Sequence, residues 1–412
     1  MKMFNRGRHK KLRYSQFYWS SESLRFRLAC TVLLFWGIFL FFLPVPASAL
    51  EYVHFRHKGQ ERSEEGRIIL ESPEQGIALE TRDGQLYPIK SEDIISRTSD
   101  DVPFEPYTKA EMIERLKKMF PPSEGYYYNL DMYGPFVVVY TTSRAFANRY
   151  GVLLKKVAEH YRLFWQNLGV ELTEPEFPLV AIVLSSEERY RQFAKQDGVS
   201  LAKEQRAYYH KLTNRIVMYD ISGQQVFVEG EQRRATAVDT QKLLLQPDNI
   251  RTVIHEAIHQ VGYNTGMHTR HAPNPVWLCE GLALLHEVPN TRNRDGWTPG
   301  TPERPPINAL RLAHLRASLG NLRPESIQKM IQDDKLFAKS DTALESYALA
   351  WGLTYYLVKK QPQEFAAYLK LLQAKTPLSE DDDSIRIEDF ESCFGKDWAK
   401  FYREFVNFVK RM

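Results

Sequence analysis

Two histidines four positions apart with a glutamate between them, in the run His255-Glu256-Ala257-Ile258-His259, are the residues of this 412-residue chain best suited to chemistry. On a helix, residues i and i+4 share a face about one turn apart, so both imidazoles can reach one zinc ion while Glu256 stands beside them. That arrangement serves metal-assisted hydrolysis. Two neutral nitrogens hold the ion, and a carboxylate that is not a ligand acts as general base toward the attacking water.

For this to work the flanking residues must be helical. Ile250, Val253, Ile254, Ala257, Ile258 and Val261 recur at the three-four spacing of an apolar stripe, and His255 and His259 fall nearly opposite it. No lysine or arginine occurs between Arg251 and Arg270, so the histidine side is expected to face a cleft and not bulk water. A third ligand has two candidates. The metzincin continuation puts Gly262 on its glycine position but Thr265 on its final ligand position, and threonine is a poor zinc ligand. The other is Glu280, the only acid before Glu287 on a second helix that is expected to start with Asn274 as N-cap and Pro275 in the first turn. Gly281 and Ala283 are small enough for this helix to approach the first closely.

The pairing of His-Glu-x-x-His with Trp277-Leu-Cys-Glu280-Gly-Leu-Ala283 about twenty residues later resembles the gluzincin zinc peptidases. There the late glutamate completes a site of two histidines and one glutamate. The longer string, from Thr252 through Gln260, Asn264-Thr-Gly, Arg270 and Pro275 to Ala283, is similar to an uncharacterised exported family abundant in planctomycete-type bacteria, which carries a gluzincin-like domain of unknown function. That likeness extends from Ala207-Tyr-Tyr to Tyr347 through Tyr356 and covers most of residues 100 to 410. It implies an α+β gluzincin-like fold, zinc held by His255, His259 and Glu280, and a tyrosine on a later helix as oxyanion donor. Tyr347 is the candidate, against a reading of it as a packed aromatic on an apolar stripe; Tyr355 is the substitute. The family's usual supporting acid would stand where this chain has Leu284.

The remaining chain is organised around these residues. Residues 1 to 27 hold eight basic residues against Glu22, and an apolar run from Leu28 to Leu43 ends near Ala47-Ser48-Ala49. This reads as an export signal over residues 1–49, cleaved or retained as a membrane anchor. The chain's charge is +4, the first fifty residues contribute 8 − 1 = +7, and the remainder is therefore −3. No basic block is left to track phosphates, which argues against nucleic-acid binding. Cys279 and Cys393 are expected as buried free thiols.

Residues 51–98 read as a small β-module, a meander or SH3-like barrel of four short strands with an Asp83-Gly84 hairpin, bounded by Ser99–Pro103. Residues 104–300 read as a mixed α/β lobe with the two metal helices. The resemblance implies that one of the strands near 206–210 and 215–219 is a substrate-binding edge, the alternative being a buried hairpin. Gln224–Gln246 and Pro289–Pro306 read as irregular, and six helices fill residues 301–412, the third with Tyr347 on its face.

His268, Arg270 and His271 lie between the metal helices, where they would orient ligands, contact a substrate carboxylate or stay solvated. Glu287, seven residues beyond Glu280, would hold a ligand histidine or be a surface acid. Two functions follow: an exported zinc metallopeptidase acting on peptide or protein substrates, or a non-catalytic envelope binding or scaffold protein whose metal site is structural or vestigial.

Overall fold

The computed structural model describes residues 49–129, 133–202, 205–221, 225–228, 231–234, 246–290, 292–293, 296–339 and 341–412. The export segment lies outside them except for Ala49, and no helix among the described residues is long and apolar enough to cross a membrane.

The fold is mixed α+β. The N-terminal part is an antiparallel sheet of order β4-β3-β2-β1-β5, made of β1 (Ala49–His57), β2 (Gln60–Ser72), β3 (Gly76–Thr81), β4 (Leu86–Ile89) and β5 (Ile94–Pro103). The fifth strand takes in the acidic Ser99–Pro103 stretch that the sequence marks as a boundary. Apolar alternation does not form it, since most of its residues are exposed. It forms by pairing with β1, and Arg97 helps hold it there by bridging Glu51 on β1 at 2.8 Å and Glu71 on β2 at 2.9 Å.

A second sheet has the order β6-β7-β8-β10-β9: β6 (Tyr127–Asn129), β7 (Phe136–Tyr140), β8 (Leu179–Leu184), β9 (Ala207–His210) and β10 (Arg215–Tyr219). The central three run parallel and the outer two antiparallel. The parallel strands are buried along their whole length, which is why they are nearly continuous apolar runs. Around them lie α1 (Lys109–Met119), closed by a Thr108/Glu111 capping box, α2 (Arg144–Gln166), capped by Ser143, and α3 (Glu187–Asp197), capped by Ser186.

Helix α4 (Pro247–Asn264) carries the histidines and packs against β9 and β10. Its fully buried Gln260 donates to the carbonyls of Val180 at 3.2 Å and Asn214 at 2.8 Å, tying the helix to the sheet. Of the segment read as irregular from Gln224, β11 (Gln225–Val228) and β12 (Glu231–Arg234) form a hairpin, and residues 235–245 lie outside the described residues.

Helix α5 (Val276–His286), which carries Glu280, is buried on nearly every side, as its apolar composition requires. It begins one residue later than the sequence suggests. Asn274 does not cap it: its amide donates to the carbonyls of Thr269 and Ala272, and the first helical N–H, of Val276, goes to Asp334 Oδ1 at 2.9 Å. The helices α6 (Ala309–Ser318), α7 (Pro324–Gln332), α8 (Ala343–Lys360), α9 (Pro362–Gln373), α10 (Asp383–Phe394) and α11 (Trp398–Arg411) follow. One continuous apolar core runs from Met112 to Val409, so the α/β part and the C-terminal helices are packed as a unit.

The small sheet is joined to this unit by buried charge. Glu80 on β3 accepts from Arg67 and from Arg270 of the α4–α5 loop, and Asp83 lies 3.5 Å from Arg115 and 3.6 Å from Arg215. Gly84 has φ +77°, and a Cβ there would meet the Phe177 ring at 2.9 Å, so the turn needs glycine for both conformation and room. Gly281 also marks a close approach, though to α8 and not to α4 as expected: a Cβ would sit 2.1 Å from Thr354 Oγ1 and 2.9 Å from the Ala350 carbonyl. We therefore expect Gly281→Ala to push α5 off α8 and cost about 1–3 kcal/mol in denaturant unfolding. Unchanged stability would contradict this packing.

Candidate metal centre

The geometry follows from two helices meeting. The four-residue spacing on α4 sets His255 and His259 one turn apart, with ring centroids 4.7 Å apart, and α5 brings Glu280 over them. The Nε2 atoms of the two imidazoles are 3.0 Å apart, and Glu280 lies 3.2 Å from His255 Nε2 through Oε2 and 3.6 Å from His259 Nε2 through Oε1. Ligand atoms bonded tetrahedrally at about 2.0–2.1 Å are separated by about 3.3–3.4 Å, so these spacings bracket what a zinc-sized ion requires. The three side chains form a group able to hold a metal, and they are 2%, 3% and 0% exposed.

Glu287, just beyond α5, is the partner behind His255, with Oε2 at 2.8 Å from Nδ1. An ionised carboxylate only accepts, so the ring proton sits on Nδ1 and Nε2 points toward Glu280 and His259. Asn308, the N-cap of α6, donates to Glu287 Oε1 at 3.2 Å, and Arg251 stands 3.8 Å from the same oxygen. Burial opposes a proton on His255, but Glu280 and Glu287 outweigh it and hold its pKa up at about 10. His259 is pushed down to about 4, chiefly by burial. The notch thus favours positive charge where the donor atoms converge.

Glu256 points elsewhere on the same helix. Its Oε2 accepts the backbone N–H of Tyr209 at 2.8 Å, and burial foremost raises its carboxyl to about 7. Strand β9 is the edge of its sheet, so an edge amide is directed at this carboxylate. Tyr347 is 4% exposed on α8, edge-on to Phe337. Burial, then Glu280, Glu256 and Glu287, keep its hydroxyl protonated well above the usual range.

Other sequence candidates go elsewhere. Arg270 is committed to Glu80 and lies over Phe177. His268 packs on Tyr263 and Gly262, with burial holding it down near 3, and burial likewise keeps His271 well below its usual pKa. The Tyr355 hydroxyl donates to the Pro305 carbonyl, and His286, not a candidate by spacing, packs among His160, Phe164 and Trp165. Cys279 is buried against Tyr263, and Cys393, expected buried, is only partly so. Tyr209 and Asn308 are functional neighbours that spacing does not reveal, because each reaches the site through the tertiary fold. A helix cap ahead of Ala309 is the only local signal for Asn308.

Two outcomes follow. Glu287→Gln should weaken divalent-ion binding about 10- to 100-fold without abolishing it, measured by competition with a chelating dye. With its pKa held up at about 10, His255 is expected to carry a second ring proton, on Nε2, which an ion would displace. Binding should therefore release about one proton per ion near pH 7.5 and tighten as pH rises, read by calorimetry in buffers of different ionisation enthalpy. Binding without proton release would contradict this charge state.

No curated protein matches the chain. Residues 249–379, which contain the histidine pair, Glu256, Glu280, Glu287, Asn308 and Tyr347, match the family model described as protein of unknown function (DUF1570); this fits an uncharacterised family and lends no support to a gluzincin assignment.

Proposed function

We propose that this chain is a metal-dependent hydrolase of gluzincin type that cleaves peptide bonds outside the cytoplasm. The observation that carries the hydrolytic part is the convergence of His255, His259 and Glu280 within reach of one ion, with a further buried carboxylate, Glu256, on the same helix and outside the ligand group. Peptide as the substrate rests on the resemblance of the two motifs, and export rests on residues 1–49.

Two imidazoles and one carboxylate suit zinc, which when bound would supply Lewis acidity and a water of pKa near 7. The chain's own residues do the rest. The Tyr209 amide fixes Glu256 Oε2, leaving Oε1 to take a proton and return it to the leaving amine. Tyr347 keeps its O–H and would donate it to a developing oxyanion. Glu287 holds the His255 ring in one orientation.

The second reading, a binding or scaffold protein with a structural metal, draws on the near-complete burial of the site. Glu256 separates the two. On the hydrolase reading, Glu256→Gln keeps metal stoichiometry and lowers peptide turnover by at least about 100-fold. Equal turnover by both forms, or none by either across a broad peptide library, supports the scaffold.

A further inference from the structure

Arg311, in the first turn of α6, makes no ion pair among the described residues, although it feels the charge of Glu287. Its guanidinium carbon lies 5.3 Å from the centre of the Tyr347 ring, and its buried Nε has no hydrogen-bond partner. Among the described residues no carboxylate pairs with it. The neighbouring Glu287 is taken by His255 on one oxygen and by Asn308, with Arg251 near, on the other. Burial lowers the pKa of Arg311, against Glu287 and Tyr347, yet a guanidinium keeps its charge at any physiological pH. The N–H groups of a guanidinium form a planar fork that fits a carboxylate by two parallel hydrogen bonds.

Resting on the peptidase reading above, we propose that Arg311 binds the free α-carboxylate of a peptide substrate, making the centre a carboxy-terminal exopeptidase. Arg311 stands over the Tyr347 ring, and Asn308, three residues before it on the same helix end, donates to the Glu287 that holds His255. A carboxylate gripped at Arg311 would be held beside the ligand group, as the last peptide bond of a chain requires. Burial agrees: Glu256, the ligand trio and Tyr347 are each at most 5% exposed, a depth that a chain end reaches more readily than a chain middle. An amino-terminal ammonium is disfavoured, because Arg311 and Arg251 repel it and Glu280 and Glu287 already have partners. Water adds its hydroxyl to the acyl carbon and a proton to the amine nitrogen as the C–N bond breaks, releasing one free amino acid.

The test uses a mixed-sequence pool of N-acetylated hexapeptides in two forms, free acid and carboxy-terminal amide. The zinc-loaded protein should cleave the acids about 10- to 100-fold faster than the amides, and zinc-loaded Glu256→Gln should bind them with the same preference in calorimetry. Arg311→Met, which keeps the stem on Tyr347, should bring the acid-to-amide ratio close to one. Arg311→Lys, which keeps the charge without the fork, should leave an intermediate ratio and serves if the methionine variant does not fold. Cleavage without acid preference, or a preference that survives Arg311→Met, overturns the inference and leaves the peptidase reading standing. Acid-selective binding lost in Arg311→Met, with no cleavage by the natural protein, keeps the carboxylate site and overturns the peptidase reading. Absence of acid-selective binding by Glu256→Gln overturns the inference whatever the turnover.

Discussion

Glu256, Glu280 and Glu287 are three carboxylates in one buried volume, each at most 5% exposed. Buried acids persist only where cations or donors meet them, and the packing around the metal helices is an answer to that demand. His255 lies between Glu280 and Glu287 and touches both. Asn308 and Arg251 serve the other oxygen of Glu287, and a strand amide serves Glu256. A divalent ion among His255, His259 and Glu280 would complete this compensation, which links the stability of the centre to the chemistry proposed for it.

The same constraint reaches the N-terminal sheet. Arg270 leaves the loop between the metal helices to pair with Glu80, and Asp83 collects Arg115 and Arg215 with hydrogen bonds from Thr81 and Gln85. These contacts fall on the elements that present Tyr209 and the α4–α5 loop. The backbone joins them as well, Leu86 N–H donating to the Leu212 carbonyl at 2.7 Å. The small sheet is thus tied to the lobe that carries the candidate ligands, and breaking one of its buried pairs would leave an uncompensated charge at that junction.

Much of this was legible along the chain because its causes are local. The apolar stripe of α4 and the apolar composition of α5 each fix an element through neighbours within a turn or two. Glu280 was legible as the only acid on the second helix before Glu287, and Glu287 from its seven-residue spacing from Glu280. What escaped was set by distant partners: β5 is a strand because β1 pairs with it, α5 starts at Val276 because Asp334 accepts there, and Gly281 faces α8 because the helical layer closes on that side. Arg270 looked like a site residue because it lies between the metal helices in sequence, but its partner is 190 positions away. Nothing in local spacing places Arg311 beside Tyr347.

The proposed chemistry requires two imidazole nitrogens and one carboxylate oxygen to converge on a single divalent cation. X-ray absorption at the zinc edge, on protein loaded with one equivalent of zinc, tests it most directly. The expected coordination is two imidazoles and carboxylate oxygen at about 2.0–2.1 Å, with one imidazole lost in His259→Ala. No bound ion, or a shell unchanged by both His259→Ala and Glu280→Ala, would contradict it.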